Sequence, residues 1–264
     1  MKYTYEELAK TIDHSLLHPT LTDRELEDGC RLAAKYGVAS VCIKPYAVRR
    51  AAELLRGTGV KVGCVIGFPH GNSTTEVKRF ETEVACRDGA TEIDMVINLG
   101  KALSGDWDYV ERDIRAVCDA AHGHGAKVKV IFENDYLAQG GAGLTGDDFK
   151  RRLCQICERA GADWVKTSTG YGFVKQPNGG YNYQGATEHD LALMRASCSP
   201  KVQVKAAGGV RDLDGLIKVR DLGASRCGAT ATAAMLDEYR RRETAEKTGQ
   251  PAAASSTGMG AGGY

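Results

Sequence analysis

Three ionisable residues stand out because each lies in, or ends, an otherwise apolar run. Asp94 lies within the run EIDMVIN, Lys166 ends the run DWVK and Lys205 ends the run VQVK. Lysine is rarely buried without a partner. A salt bridge could explain one of these residues, but two lysines and a carboxylate at the ends of apolar runs indicate a functional site.

Two lysines and an aspartate can perform aldol chemistry without a metal. A lysine amine attacks a carbonyl only when it is neutral, and its ordinary pKa of about 10.4 leaves little neutral amine at pH 7. A second ammonium nearby and partial burial lower the pKa of a lysine. The iminium that forms accepts electrons from a breaking carbon–carbon bond, while a carboxylate linked to a lysine relays protons. We therefore predict a Schiff-base aldolase.

Glycine-rich turns follow the last two predicted strands and supply a second part of the site. Backbone N–H groups on such turns, with a helix N-terminus behind them, bind phosphate at this place in many barrels. Tight turns that need positive φ explain the glycines equally simply. Beside the lysines, the turns predict a small phosphorylated aldehyde or sugar as substrate. The candidate phosphate-binding residues are Gly170, Gly208, Gly209, Gly228 and Thr230.

Apolar segments that alternate with helical segments must position these residues. We predict strands at 12–17, 39–43, 61–66, 92–97, 127–132, 163–166, 202–206 and 225–227. Most lack polar alternation, as is typical of parallel strands buried on both faces. Capping boxes that begin at Thr4, Thr22, Ser73 and Thr145 mark helix starts, and glycines before the next strand mark helix ends.

Eight strands in alternation with helices predict an α/β fold, a single (β/α)8 TIM barrel with an extra N-terminal helix. A doubly wound sheet is the alternative, but no G-x-G-x-x-G follows a strand and opens a helix. The carboxyl ends of barrel strands carry the chemistry, and the three ionisable residues lie there. We place the barrel at 1–242 and a flexible Ala/Gly/Ser-rich tail that ends in Tyr264 at 243–264.

Composition and charge exclude several classes of partner. The 264 residues include 35 basic and 34 acidic side chains, a net charge of +1. This balance argues against binding nucleic acid through bulk electrostatics. No apolar run approaches the roughly 20 residues of a membrane helix, and residues 1–7 show no secretory signal. We therefore expect a cytoplasmic protein without nucleic-acid or membrane partners.

The nine cysteines are scattered and are predicted to be reduced thiols, mostly in the core. Cys154 and Cys157 form a C-x-x-C inside an apparent helix, and no second pair completes a zinc site. With no HExxH either, the sequence predicts neither metal nor cofactor. Cys42 is either a packed core residue or, if it faces the site, a target for electrophilic aldehydes.

The chain resembles the deoxyribose-phosphate aldolase family, class I enzymes that cleave 2-deoxy-D-ribose 5-phosphate into glyceraldehyde 3-phosphate and acetaldehyde. The matching motifs span about residues 4–240, in the family's order. They are TIDHSLL (11–17), VCI (41–43), GFPHG (67–71), EIDMVIN (92–98), KTSTG (166–170), GAT (185–187) and KAAGGV (205–210).

The resemblance implies a role for several residues. It implies that Lys166 forms the Schiff base, that Asp94 and Lys205 donate and accept protons, and that Asp13 helps. It also implies a metal- and cofactor-free cytoplasmic enzyme of deoxynucleoside breakdown, often a homodimer, with small phosphosugar and aldehyde substrates. Similar tails that end in tyrosine occur in the family. Tyr264 either reaches the substrate to transfer a proton or belongs to an inert end.

The chain departs from the family pattern near the phosphate. Many relatives have Ala-Ser-Ser where this chain has Ala229-Thr230-Ala231, and some have a lysine at the position of Tyr171. Lys175 or Arg226 could compensate. The stretch 173–184 is longer than the linker common in the family, and it either bears on specificity or is a neutral surface insertion.

Two other functions remain open on the sequence alone. One is another class I aldolase or a transaldolase-like enzyme that acts on a small phosphosugar, which a substrate panel would distinguish. The other is a non-catalytic barrel that binds phosphosugars, which would fail to form a reducible Schiff base.

Overall fold

The computed structural model describes residues 1–249, and in that range eight parallel strands form a closed barrel. The strands in chain order are β1 (Ile12–Leu16), β2 (Ser40–Ile43), β3 (Lys61–Ile66), β4 (Glu92–Val96), β5 (Lys127–Ile131), β6 (Trp164–Lys166), β7 (Val174–Lys175), β8 (Tyr181–Asn182), β9 (Gln203–Ala207) and β10 (Ala224–Ala229). Strand β10 pairs with β1 and closes the barrel, whereas β7 and β8 form a separate antiparallel hairpin.

Helices between the strands form the outer layer. They are α1 (Tyr5–Ala9), α2 (Asp23–Tyr36), α3 (Val48–Leu54), α4 (Thr75–Arg87), α5 (Leu99–Leu103), α6 (Trp107–Gly123), α7 (Asn134–Leu137), α8 (Gly146–Ala160), α9 (Glu188–Ser197), α10 (Leu213–Asp221) and α11 (Thr232–Thr248), with a 3-10 turn at Pro45–Ala47. Their apolar faces and the outward side chains of the strands form the main hydrophobic core. The predicted (β/α)8 barrel and its extra N-terminal helix are confirmed.

Three of the four capping boxes predicted from the sequence are present at helix N-termini. Thr4, Thr22 and Thr145 each begin a capping box in which the N-cap side chain and the N3 carboxylate satisfy one another's backbone N–H groups. The capping box predicted at Ser73 is wrong. Thr74 is the N-cap instead, and the residue three positions later is Val77, which has no polar group to reach back.

The last helix continues beyond residue 242, where the sequence placed the end of the barrel domain. Within α11, Lys247 pairs with Glu243 at 3.1 Å, and the Thr248 hydroxyl donates to the Thr244 carbonyl at 2.9 Å. These i,i+4 contacts carry the helix to Thr248. The rest of the predicted tail, including Tyr264, lies outside the described residues. Among residues 1–249, no helix is long and apolar enough to cross a membrane.

Strand register brings the ionisable residues to one level of the barrel. Lys166 lies opposite Lys205 on β6 and β9, and Asp94 lies opposite Lys129 on β4 and β5. Partners in register on neighbouring parallel strands point to the same face of the sheet. The barrel interior is therefore filled by buried charged side chains at this level, whereas the usual filling is branched aliphatic residues.

Candidate active site

A cavity of about 510 Å³ opens at the carboxyl ends of the barrel strands. Lys166 and Lys205 line its floor, and the turns after β6, β9 and β10 form its walls. The five candidate phosphate-binding residues all line this cavity, namely Gly170, Gly208, Gly209, Gly228 and Thr230. Residues that the sequence placed on separate loops therefore meet around one space.

Asp94 joins the two lysines beneath the cavity. Its Oδ2 atom lies 2.8 Å from Lys166 Nζ and 2.7 Å from Lys205 Nζ. Lys166 is 2% exposed, and the other two residues are fully buried. The three side chains predicted to act together are therefore in direct contact, and a proton can pass between the two amines through one carboxylate oxygen.

Asp13 lies on the far side of Lys205. Asp13 Oδ2 is 2.6 Å from Lys205 Nζ, so that this ammonium lies between two carboxylates. Asp13 contacts Lys205 and not Lys166 among the ion pairs of the described residues. Its place suits a residue that holds Lys205 in position.

Lys129 completes the buried cluster, and sequence reasoning missed it. Its Nζ lies 2.9 Å from Asp94 Oδ1, 2.6 Å from Glu92 Oε2 and 3.3 Å from Asp13 Oδ2. A signal was present, because a lysine two positions after Lys127 in the predicted strand 127–132 lies inside an otherwise apolar run. The same reasoning that singled out Asp94 would have applied to it.

Arg226 is also drawn into the interior, so it does not compensate for the missing lysine near the phosphate. Its guanidinium lies 2.6 Å from Asp13 Oδ1 and makes a bidentate pair with Glu92 at 2.7 and 3.0 Å. An arginine held by two carboxylates in this way has its planar donors occupied. Lys175 lies on the exposed hairpin strand β7 and is not part of the cavity lining.

The charges of this cluster are unbalanced by one. Its four cationic side chains, Lys129, Lys166, Lys205 and Arg226, face the three carboxylates of Asp13, Glu92 and Asp94. Loss of one proton would make the cluster neutral. Lys166 pairs with one carboxylate, Lys205 with two and Lys129 with three. Lys166 therefore has the fewest carboxylate partners of the three lysines.

Asp94 and Lys205 are both charged in the folded protein. Burial favours the neutral acid of Asp94, but Lys129, Lys166 and Lys205 hold the pKa of that carboxyl well below its usual range. Burial likewise disfavours the ammonium of Lys205, but Asp13 and Asp94 raise its pKa above the usual value. The resting site therefore combines an Asp94 carboxylate with a Lys205 ammonium, an acceptor and a donor of protons side by side.

The turn after β9 is shaped to bring backbone close to a ligand. Gly208 and Gly209 have φ of 89° and 85°, a region in which residues with side chains are strained. Gly185 packs against this turn so closely that a Cβ there would lie 2.7 Å from the Gly208 backbone. Arg211 follows the turn and lines the cavity, and sequence reasoning missed this cation.

Tyr171 forms an aromatic wall of the cavity where some relatives carry a lysine. Its ring meets Phe68 edge to face, with centroids 5.5 Å apart and an interplanar angle of 82°. The pair packs on a small cluster of Leu17, Cys42 and Val65.

Cys42 lines the cavity, with Sγ 3.8 Å from Asp94 Oδ2, and burial raises the pKa of its thiol. It is thus a cavity-facing but protonated thiol.

The stretch 173–184 reaches the cavity through one residue. Strands β7 and β8 lie in this stretch, which the sequence left as a loop. Tyr183 lines the cavity and packs edge to face on Phe173 at 5.3 Å. Of the two interpretations of this stretch, contact with the cavity favours a role in specificity.

A group of potential metal ligands lies outside the cavity lining, at Asp147, His189 and Asp190. The Lys150 ammonium contacts Asp190 and lies 3.6 Å from Asp147, so both carboxylates already have a cationic partner.

Cys154 and Cys157 are free thiols buried in α8, as predicted for core residues.

Comparison with known proteins agrees with this geometry. Residues 8–240 match the family described as DeoC/LacD family aldolase. A deoxyribose-phosphate aldolase of Rhodopirellula baltica is 51% identical over 262 residues, which cover 99% of each chain.

Solved structures show the same likeness. A putative deoxyribose-phosphate aldolase from Coccidioides immitis superposes with a TM-score of 0.80 at 36% identity, covering 90% of this chain and 87% of that one. The deoxyribose phosphate aldolase from Aeropyrum pernix, described as tetrameric, superposes with a TM-score of 0.76 at 31% identity, covering 90% and 92%.

Proposed function

Because the chain belongs to the DeoC/LacD family of aldolases, we infer that it catalyses the reversible aldol cleavage of 2-deoxy-D-ribose 5-phosphate. The products are D-glyceraldehyde 3-phosphate and acetaldehyde, and the reaction belongs to the breakdown of deoxynucleosides. The enzyme is a carbon–carbon lyase. The observation that carries this inference is the contact of Lys166 with Asp94 beneath a cavity whose walls are glycine-rich turns.

Lys166 begins the reaction as the nucleophile. Its neutral amine adds to C1 of the open-chain sugar, and the carbonyl oxygen takes a proton from the adjacent Lys205 ammonium. The carbinolamine nitrogen gives its extra proton to the Asp94 carboxylate, which passes it to the Lys205 amine. Lys205 then protonates the carbinolamine hydroxyl, which leaves as water and gives the iminium. The Asp94 carboxylate lies 2.8 Å from Lys166 Nζ, where it can accept the proton that this amine must lose before it attacks.

Cleavage then follows from the electron demand of the iminium. A base removes the proton of the C3 hydroxyl, the C2–C3 bond breaks and its electron pair enters the iminium to form an enamine. Glyceraldehyde 3-phosphate leaves. A proton returned to C2 and the addition of water to the new iminium release acetaldehyde and the free amine.

Proton transfer in these steps falls to Asp94 and Lys205. The Asp94 carboxylate lies between the two amines at 2.8 and 2.7 Å, so it can return protons from one to the other. Asp13, 2.6 Å from Lys205 Nζ, helps by holding that ammonium in the position from which it donates. Removal of Asp13 would leave Lys205 with a single carboxylate partner.

The substrate phosphate binds at the turns after β6 and β9 and at the carboxyl end of β10, where Gly228 lies within the strand. Backbone N–H groups at Gly170, Gly208, Gly209 and Gly228, with the Thr230 hydroxyl, provide neutral donors. The Arg211 side chain adds the positive charge that the lysine provides in some relatives. The start of α11 at Thr232, just behind this turn, contributes its helix dipole.

Direct assay of the cleavage tests this function. The purified chain should release acetaldehyde from 2-deoxy-D-ribose 5-phosphate at the same rate with and without a chelator. A panel that includes fructose phosphates separates this activity from that of a transaldolase-like enzyme. Binding of deoxyribose 5-phosphate without turnover would contradict the assignment.

Two further features are proposed with it. We propose that the chain works in the cytoplasm as a homodimer, which light scattering on the purified protein would test.

We also propose that Tyr264, in the tail beyond the described residues, reaches the substrate and transfers a proton. Deletion of Tyr264 should then lower kcat, and unchanged turnover would leave the tail without a catalytic role.

A further inference from the structure

Glu133 is a buried carboxylate that the mechanism above does not use. It lies where β5 leads into α7, with φ 57° and ψ 65°, and its side chain is buried. Residues other than glycine seldom adopt this left-handed conformation, so the position is strained. Strain and a buried carboxylate at the same residue, at the catalytic end of the barrel, point to a function.

The carboxylate of Glu133 holds the turn that follows the Schiff-base lysine. The Thr169 backbone N–H donates to Glu133 Oε1 at 3.1 Å and to Oε2 at 3.3 Å. The Thr169 hydroxyl contacts Glu133 Oε2 and accepts from the Tyr171 N–H at 2.9 Å. One side chain thus sets the backbone path from Thr169 to Tyr171.

The next residue shows how closely the chain wraps around this carboxylate. A Cβ on Gly172 would lie 2.4 Å from Glu133 Cδ, so any other residue there would displace the carboxylate. On both sides of Glu133 the backbone is tied to the end of β6, since Phe132 N–H donates to the Lys166 carbonyl and Asn134 N–H to the Thr167 carbonyl, each at 3.0 Å. The carboxylate therefore has a rigid base from which to act on the turn.

We propose that Glu133 is a positioning residue that shapes the turn 169–172 into a wall of the anion-binding end of the cavity. Gly170 and Tyr171, which line the cavity, are carried by this turn. Within the described residues, the hydrogen bonds of the carboxylate all go to Thr169 and none to Lys166, Asp94 or Lys205. Glu133 also interacts with the charge of Lys166, but more weakly than with Thr169, so its effect should fall mainly on binding of the phosphorylated end and less on Schiff-base chemistry. This inference rests on the proposed function.

The test compares Glu133→Gln with wild type on two substrates that differ only in the phosphate. At about pH 8.5, above the pKa of about 7 that burial gives Glu133, the variant should raise KM for 2-deoxyribose 5-phosphate about tenfold, the usual effect of one lost charge-assisted hydrogen bond, with kcat within about twofold. For unphosphorylated 2-deoxyribose, kcat/KM should stay within about twofold of wild type. Reductive trapping of acetaldehyde on Lys166 should proceed at the wild-type rate.

A matched control lies at the opposite end of the barrel. Asp163 is a partly buried carboxylate that accepts the Val128 N–H at 2.9 Å, before β6 begins. Asp163→Asn should lower the melting temperature without changing the ratio of the two substrates' kcat/KM values. If Glu133→Gln fails to fold, Thr169→Val removes the hydroxyl between Glu133 and Tyr171, and it should raise the same KM while Thr169→Ser does not.

The outcomes separate this inference from the proposed function. Equal losses on both substrates, a fall in kcat with KM unchanged, or wild-type kinetics in the variant would each contradict the positioning role. A wild-type protein that cleaves neither substrate would contradict the proposed function itself, and this inference with it.

Discussion

Lys166 and Lys205 share one oxygen of Asp94, with Nζ–Oδ2 distances of 2.8 and 2.7 Å. The two amines nevertheless differ in their surroundings. Lys205 has a second carboxylate at 2.6 Å in Asp13, whereas Lys166 reaches the cavity with Asp94 alone. One buried cluster therefore contains a proton donor, Lys205, which two carboxylates hold as an ammonium, and a nucleophile, Lys166, which has a single carboxylate partner.

Reductive trapping should identify the nucleophile. Acetaldehyde with borohydride should inactivate the enzyme irreversibly and leave an ethyl adduct on Lys166, because this lysine has one carboxylate partner, whereas Asp13 and Asp94 together stabilise the ammonium of Lys205. Peptide mass spectrometry locates the adduct, and Lys166→Arg should give none. Lys201, which is exposed to solvent, is the internal control and should carry no adduct. An adduct at another lysine, or at none, would contradict the assignment of Lys166.

Lys205→Leu should lose most activity, by a factor of about 10² or more, because a general acid contributes roughly that much. Steady-state kinetics measures the loss, and circular dichroism shows whether the barrel remains folded. Lys201→Leu, at an exposed lysine just before β9, is the control and should retain full turnover. Near-normal kcat in Lys205→Leu would remove this lysine from the proton-transfer scheme.

Lys129→Met should destabilise the fold by about 3–5 kcal/mol, since Asp13, Glu92 and Asp94 each lose a buried ion-pair partner. Chemical denaturation measures this loss. Lys127→Met, on the same strand but with a side chain that is 57% exposed, should cost far less. The double variant Lys129→Met/Glu92→Gln should recover part of the stability. Equal effects at residues 127 and 129 would show that the interior ion pairs contribute little.

The stability of the protein should carry a pH signature of Glu133. Burial raises the pKa of Glu133 to about 7, from an ordinary value of 4.5. The folded state therefore binds more protons than the unfolded state between these values, and the free energy of unfolding falls as pH rises through that window. Across this window Glu133 lowers the free energy of unfolding by at most about 3 kcal/mol, because each pKa unit corresponds to about 1.4 kcal/mol.

Comparison of unfolding curves isolates this contribution. In Glu133→Gln the fall between about pH 4.5 and 7 should be smaller than in wild type, while other titrating groups act equally in both proteins. Denaturant titrations at several pH values measure the difference. Parallel curves for the two proteins across this range would show that Glu133 does not titrate there.

Much of the architecture follows from local sequence. All eight barrel strands were predicted, because each is a short apolar run between glycine-marked helix ends and capped helix starts. The hairpin of β7 and β8 was not predicted, since two polar two-residue strands leave no periodic pattern. The capping box at Ser73 was wrong by one residue, a shift that propensity alone does not resolve.

The sequence by itself identified Asp94, Lys166 and Lys205, because an ionisable residue in an apolar run is visible without knowledge of its neighbours. Only the tertiary structure placed Lys129 and Arg226 among them and put Glu133 against Thr169. These contacts join residues far apart in the chain, and they depend on barrel closure and strand register. Charge balance at a buried site is a property of the whole cluster, so it was decided only when eight strands brought their side chains to one level.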